Sequence, residues 1–387
     1  MIKNFQKNKN KYYIFGLLIW PYIFLFPHTS NLLVLGNDFE LIYFSYKKYI
    51  YEFFIDGLIP LWLPSQSSGY TLIYNPFAQF FYIPSWILFY FHKIFLLDFS
   101  KYNYLIYTIG GISIYNLGQY LWLKKLNINP FYAFLAGLII TSGLKITEIL
   151  RFPNAVHSFC WFSWILLGIT LSQYNNKKLK SSIVIFFSTL MLLTAGYPYY
   201  IVYSSLLFSF FFIFISTSWA KVNMLKISKE NSSSFVSSLF VCSVSFALSL
   251  IIALPWLLKV LQTLNMTKNR NLHDINFASV LNSNLVDNLG SWFFPPISMA
   301  EGWFYFGIFV TFIIIYFFIG NILNRQSLIK NKLLIVYFAI FYFIVFSFSK
   351  AGDSSIFNFF WENFDLIKNM RAWARINIIL IPIFSIL

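Results

Sequence analysis

Charge is what this sequence has least of. Only 11% of its residues are Asp, Glu, Lys or Arg, against 58% that are hydrophobic, whereas a soluble domain carries roughly a quarter charged residues. A solvated surface around a core of this size cannot be assembled from so few charges, so a soluble globular fold is excluded. Acid is scarcer still, with 13 Asp and Glu against 28 Lys and Arg. Such an excess of base points to nucleic acid only when the cations cluster on a solvated face. Here they are dispersed between apolar runs, as residues that fix membrane topology are, so the expected partner is the lipid bilayer and not nucleic acid. The two cysteines, Cys160 and Cys242, both sit in apolar runs and read as small buried hydrophobes, which leaves no disulfide framework and no metal–thiolate site to expect. The soluble-enzyme signatures are missing too: the sequence has no P-loop, no dinucleotide fingerprint, no HExxH and no nucleophile elbow.

What the chain has instead is a succession of apolar runs long enough to cross a hydrocarbon core about 30 Å thick. The hydropathy pattern predicts an all-α, polytopic membrane helical bundle with about ten spans. They fall near 12–29, 103–123, 131–147, 157–173, 181–196, 199–219, 235–257, 304–323 and 333–348, with a last one from 376 that is incomplete because some 12 residues are too few to cross. That short final stretch reads as a fragment or an abrupt end. The lysine-rich start followed by an apolar run, without a small-x-small cleavage site, reads as a retained signal anchor with a cytoplasmic N-terminus. A bacterial inner (plasma) membrane is the expected location.

The run at 77–97 decides the topology. If it crosses, the loops with Lys124 and Lys125, with Lys177, Lys178 and Lys180, and with Lys221, Lys226 and Lys229 fall opposite the lysines of the N-terminal tail. If it lies along the outer surface, all of these join that tail inside, together with Arg325, Lys330 and Lys332, and Glu230 is the only acid among them. The second arrangement obeys the positive-inside rule and is the expected one. A second surface helix precedes it at about 39–56. There Glu40, Lys48, Glu52 and Asp56 recur on one stripe while Phe39, Ile42, Tyr43, Tyr46, Tyr49, Phe53 and Phe54 cover the rest, the pattern of an interfacial amphipath. The outer face then carries three sizeable segments, 30–102, about 258–303 and 349–375, and any chemistry belongs there.

Within the first outer loop, Asp38 and Glu40 stand at the start of the amphipathic helix. Asp38 suits two roles: a cap for the free N–H groups of that helix, or a base. An Asp-x-Glu pair also offers two oxygen ligands to a hard cation such as Mg²⁺ or Mn²⁺, an incomplete set by itself. Trp62, Asn75 and Pro76 hold a turn-rich segment between the two surface helices, with Trp62 expected to be buried and its indole N–H bonded. Arg151, His157, Arg371 and Arg375 lie near the outer ends of spans, where they would either snorkel to the interface or bind phosphate.

The order Asp38, Pro60-Leu61-Trp62, Gly69, Asn75-Pro76 and Phe81-Tyr82-x-Pro84 resembles the first outer loop of bacterial YfhO-like membrane proteins, which are similar to the GT-C glycosyltransferases. The likeness continues more loosely through Arg151 and His157, Gly196-Tyr197-Pro198, Phe294-Pro295, Tyr305-Phe306-Gly307, and Arg371 and Arg375. It departs at Asn37, where the family usually has Gly, and at Tyr197, where it often has His, and the family's C-terminal part is expected to be absent. The resemblance implies a single GT-C-like transmembrane domain over 1–387 with two outer-face juxtamembrane helices. It also implies an enzyme that moves a sugar from a polyprenyl-phosphate donor to an envelope glycan, lipid or protein acceptor. Asp38 would be the base with Glu40 its partner, and Arg151, His157, Arg371 and Arg375 would bind the donor phosphate. Two other classes fit the same composition: a transporter or flippase of a lipid-linked sugar, and a catalytically inactive GT-C-like protein.

The topology has a direct test. A cysteine placed at Lys124 in intact cells should stay unlabelled by a membrane-impermeant thiol reagent, while one placed at Lys101 should react. Labelling at 124 inverts the map after residue 97.

Overall fold

A computed structural model describes residues 2–64, 69–264, 275–295, 302, 305–368 and 370–386. The fold is all-α. Among the described residues the only sheet is a two-residue hairpin, β1 (Trp62–Leu63) against β2 (Tyr70–Thr71). In chain order the principal helices are α1 (Ile2–Phe24), α2 (Ser45–Ile55, entered through a π-helical turn at Phe39–Phe44), α3 (Ile83–Ile94), α4 (Lys101–Lys125) and α5 (Pro130–Thr141). There follow α6 (Leu144–Ile149), α7 (Pro153–Phe159), α8 (Phe162–Ser172), α9 (Lys178–Thr194), α10 (Pro198–Ile215), α11 (Phe235–Leu264), α12 (Ile308–Leu323), α13 (Arg325–Ser349) and α14 (Ser355–Asn363). A 3₁₀ segment, Trp373–Ile379, runs into the last helix, α15 (Leu380–Phe384).

Local chemistry sets many of these boundaries. Pro130, Pro153 and Pro198 stand at the first turns of α5, α7 and α10, where a missing N–H removes no helical hydrogen bond. The Ser100 hydroxyl accepts from the Asn103 N–H at the start of α4, and the Asn129 amide oxygen from Phe131 N–H at the start of α5. Among the described residues four helices are long and apolar enough to cross a membrane: Pro153–Ser172, Pro198–Ile215, Phe235–Thr263 and Asn331–Ser349. The other expected spans coincide with helices that are shorter, as Pro130–Thr141, or carry more polar side chains, as Lys101–Lys125. Burial separates the four. Pro153–Ser172 is 94% buried inside the bundle, whereas Phe235–Thr263 is only 22% buried and offers its apolar sides outward.

Polar side chains join the helices at the centre. Asn116 donates to Thr141 Oγ1 at 2.7 Å, Trp122 Nε1 to Thr170 Oγ1 at 3.1 Å, and Ser163 to the Tyr115 carbonyl at 3.0 Å, tying α4 to α5 and α8. Such bonds are favoured inside a bundle because apolar surroundings offer no water as an alternative.

Two boundaries differ from the sequence expectation. The run at 131–147 is not one helix: α5 ends at Thr141, and α6 starts after Gly143 with Leu144 N–H bonded to the Tyr305 carbonyl at 3.0 Å. Lys145, Glu148 and Arg151 therefore leave the apolar segment, which charged groups do not readily share. The run at 77–97 contains a 3₁₀ turn, Pro76–Ala78, and then α3, whose 12 residues span about 18 Å, short of the hydrocarbon thickness. The outer segment expected at 258–303 is described only in part, since 265–274, 296–301 and 303 lie outside the described residues.

The basic loops gather at one end of the bundle. Asn127 donates to the Met224 carbonyl, Tyr174 to that of Leu225, and Asn175 to those of Glu230 and Ser232, so the loops after α4, α8 and α10 touch one another. Tyr120, one turn before Lys124, reaches Asn10 in α1 at 2.8 Å. At the opposite end of α4, Tyr102 donates to the Thr29 carbonyl and Lys101 pairs with Glu40.

One side chain fastens the first loop to the bundle. Asn154, fully buried at the start of α7, directs its amide nitrogen at the carbonyls of Phe77 (3.1 Å), Gly196 (3.2 Å) and Pro76 (3.4 Å). Gln79 adds a 2.6 Å bond to the Ala195 carbonyl. Gly196 has φ of +80°, and a Cβ there would lie 2.0 Å from the Pro76 oxygen, so only glycine fits the turn. Replacing Asn154 by Leu should cost about 3 kcal/mol, because it leaves buried carbonyls without donors. Unfolding of the purified protein in detergent measures this, and a loss below about 1 kcal/mol would show that the loop is held by other means.

Candidate functional site

The loop that Asn154 holds leads directly to Tyr197, whose hydroxyl accepts a 2.8 Å hydrogen bond from Arg375 Nη1. Arg375 lies in the 3₁₀ segment near the end of the chain. It is held there by Trp373, which is buried against Tyr203, Phe348 and Phe357 with ring centroids 5.2–5.7 Å apart. The guanidinium stands over Phe152 (5.3 Å) and Tyr199 (5.7 Å), and that of Arg151 over the same Phe152 ring at 4.5 Å. Two arginines distant in sequence thus share one aromatic platform, which favours cations through the ring quadrupole.

Tyr43, on the buried side of the π-helical turn, closes the cluster, with its ring 6.4 Å from that of Phe152. Burial pushes its phenol well above the usual range; Tyr197, Asp38 and Tyr199 push in the same direction, and Arg375 opposes them. The Asp38 carboxylate makes no capping bond. Asp38 is already helical (φ −55°, ψ −36°), and the Glu40 and Leu41 N–H groups go to the Asn37 carbonyl instead. Asn37 turns the chain with φ of +49°. The carboxylate is half-buried and makes no ion pair or hydrogen bond among the described residues.

Glu40 looks elsewhere. It is exposed and pairs with Lys101 at 3.0 Å. Residues two apart on a helix do not face each other, so Asp38 and Glu40 do not converge as ligands. Among the described residues no three His, Cys, Asp or Glu come together as a cation site. Among the described residues Asp38 and Glu40 therefore do not make a site for Mg²⁺ or Mn²⁺.

Arg371 is exposed, ahead of the 3₁₀ segment. His157 sits apart from the guanidinium groups: it is buried, its Nδ1 is 3.3 Å from Tyr82 Oη, and its ring stacks on Tyr107 at 4.2 Å. Asn75 is buried and caps the Pro76–Ala78 turn through a 2.9 Å bond from Phe77 N–H. Trp62 departs from expectation. It is 53% exposed, with one face of its indole against Gly69 and its carbonyl bonded by Tyr49. A two-residue hairpin has no second layer to bury a large ring, so Trp62 stays at the rim.

Three groups in or near the site were not singled out in the sequence. Glu148 takes Lys145 at 2.6 Å and Arg151 at 3.4 Å, which balances part of the local positive charge. Their i, i+3 spacing was the available signal, hidden by a hydropathy window that merged α5 with α6. Lys47 is the third: it is 1% exposed and bonds the Ala78 carbonyl (2.8 Å) and Ser85 Oγ (2.9 Å). It stands beside Lys48 on the other face of α2, so no pattern distinguished the two.

No family model, curated protein or solved structure matches the chain.

Burial drives the Lys47 ammonium well below its ordinary range. The unfolded chain then holds a proton that the folded chain lacks, between the lowered value and about 10.4. Stability must rise with pH across that window, by up to about 1.4 kcal/mol per unit. The melting temperature of the wild type relative to Lys47→Met should accordingly climb as the pH is raised toward about 10.4. A constant difference would contradict an uncharged Lys47.

Proposed function

We propose that this chain is a polytopic protein of the bacterial plasma membrane, with about ten spans and a cytoplasmic N-terminus. We further propose that it transfers a sugar from a polyprenyl phosphate to an envelope acceptor at the outer face. The observation that supports this reading is the gathering of Arg375, Arg151 and Tyr43 about the Phe152 ring, with Tyr197 bonded to Arg375 and Asp38 opening the turn that carries Tyr43. It takes place at the bundle end remote from the basic loops.

The chemistry needs two things at that place. An acceptor hydroxyl attacking the sugar must lose a proton, and a carboxylate without a structural partner suits the task. The departing lipid phosphate gathers negative charge, which guanidinium groups stabilise through fork-shaped donation. Arg375 and Arg151 are the candidates for that role, with Arg371 at the exposed approach. Tyr197 orients Arg375. Helices α2 and α3, following the first long helix, agree with the juxtamembrane pair that the family resemblance implies. A transporter reading asks for ionisable groups near mid-membrane, whereas this cluster gathers at helix ends.

The test is transfer or donor hydrolysis by purified protein given a synthetic polyprenyl-phosphate sugar. Asp38→Asn keeps shape and much hydrogen bonding, and should lower the rate by about 10²–10⁴ at unchanged expression. Transfer near the wild-type rate in Asp38→Asn would remove the base from the proposal. Absence of any turnover by the wild type over a panel of donors would favour the inactive or transporting alternatives.

A further inference from the structure

The basic end of the bundle is more ordered than topology alone requires. The positive-inside rule asks for lysines in these loops, but not that they converge. Here they are brought together. Tyr174, just after α8, pairs with Ser232 in an antiparallel bridge and donates its hydroxyl to the Leu225 carbonyl, while Asn175 donates to the carbonyls of Glu230 and Ser232. The Tyr174 ring so fixed carries the Lys177 ammonium at 4.0 Å. The Tyr120 ring, tethered to Asn10, carries that of Lys124 at 5.2 Å. Aromatic faces thus position long side chains that would otherwise trail in solvent.

The cations crowd one another. Burial holds Lys177 below the ordinary lysine range, and Lys125 and Lys180 add to the effect; burial and then Lys125 do the same to Lys124. A like charge acts in this way only from nearby, so the four lysines share one patch. None of them forms an ion pair among the described residues. Ammonium groups gathered without a counter-ion repel, and an anion among them relieves the repulsion.

The surface beside the patch indicates which anion. Helix α9 starts at Lys178, and Leu179, Ile183 and Phe187, four residues apart on one face, are all exposed along about 12 Å of helix. Lys180 is exposed too, with Ile183 three residues and Phe187 seven residues further along the same side. A molecule with a phosphate head and a hydrocarbon chain meets both surfaces, whereas a nucleotide or an acidic peptide leaves the apolar stripe uncovered.

We propose that Lys125, Lys177 and Lys180 bind the phosphate of an anionic phospholipid of the surrounding bilayer, and that its acyl chain lies along Leu179, Ile183 and Phe187. The site stands at the opposite end of the bundle from the arginine cluster and does not depend on sugar transfer.

Native mass spectrometry of the full chain, released from mixed micelles with equal amounts of dioleoylphosphatidylglycerol and dioleoylphosphatidylcholine, tests this. The acyl chains are identical, so only the head decides. Phosphatidylglycerol should be retained in preference by about 100-fold, as three lysines near a lipid surface supply. Lys125→Gln/Lys177→Gln/Lys180→Gln should bring the preference to within about twofold of unity. Lys180→Glu, at an exposed position, should alone lower it at least roughly tenfold, even if the triple variant fails to fold. The control Lys11→Gln/Lys48→Gln/Lys259→Gln removes the same charge from exposed positions elsewhere and should leave the preference unchanged. Glycerol 3-phosphate, a phosphate head without chains, should not displace the lipid at equal concentration. Equal retention of the two lipids, wild-type preference in either lysine-patch variant, an equal loss in the control, or displacement by glycerol 3-phosphate would overturn the proposal.

Discussion

Much of the architecture around the candidate site depends on one amide. Asn154 is the first buried polar side chain of the helix at the centre of the bundle, and its nitrogen faces carbonyls from two separate turns. Without that donor the Pro76–Phe77 turn and the Gly196 turn would present their oxygens to each other across a dry contact. With it they pack so closely that position 196 admits no Cβ. The placement of Tyr197, and through it of Arg375, follows from that closeness. Because the two turns sit 120 residues apart and Arg375 lies a further 179 residues on, the site exists only once the central helices have assembled.

Two kinds of polar arrangement stand side by side at this end of the molecule. Around Phe152 the groups are charged, partly open and supported by aromatic faces, and a carboxylate nearby is left without a structural bond. Around His157, a few residues further along the central helix, Lys47, Ser85 and Tyr107 are linked by hydrogen bonds, as are Tyr82 and His157, away from open surface. Burial decides the difference. A charge held in the second region would lack both water and a counter-ion, whereas the first supplies opposite charges and rings. By that contrast the phosphate of the proposed donor belongs to the first region.

The helical character, the positions of most apolar segments and the paired helices of the first loop were legible in the sequence, since hydropathy and a 3.6-residue stripe report them directly. The break after Thr141 was not, because Ser142 and Gly143 interrupt the run too weakly to lower an average. Asp38 was legible as either cap or base; the left-handed Asn37 decides against the cap by turning the Asn37 carbonyl, instead of the Asp38 side chain, to the first N–H groups. The separation of His157 from the arginines could not be read, for six residues along a broken helix say nothing about which side each faces. Trp62 was misjudged because aromatic size suggested burial, while its place in a hairpin of two-residue strands leaves the ring 53% exposed.

The central claim is that Asp38 and the Phe152-supported arginines bound a single outer-face site. An experimental structure of the full chain with a non-cleavable polyprenyl phosphonate tests this most directly. The expected result places the phosphonate oxygens within hydrogen-bond distance of Arg375 or Arg151, with Asp38 facing the open side and the prenyl chain leaving toward lipid. A headgroup held instead among the lysines of the loops after α4, α8 and α10, or one at the arginines with Asp38 turned away from it, would contradict the account.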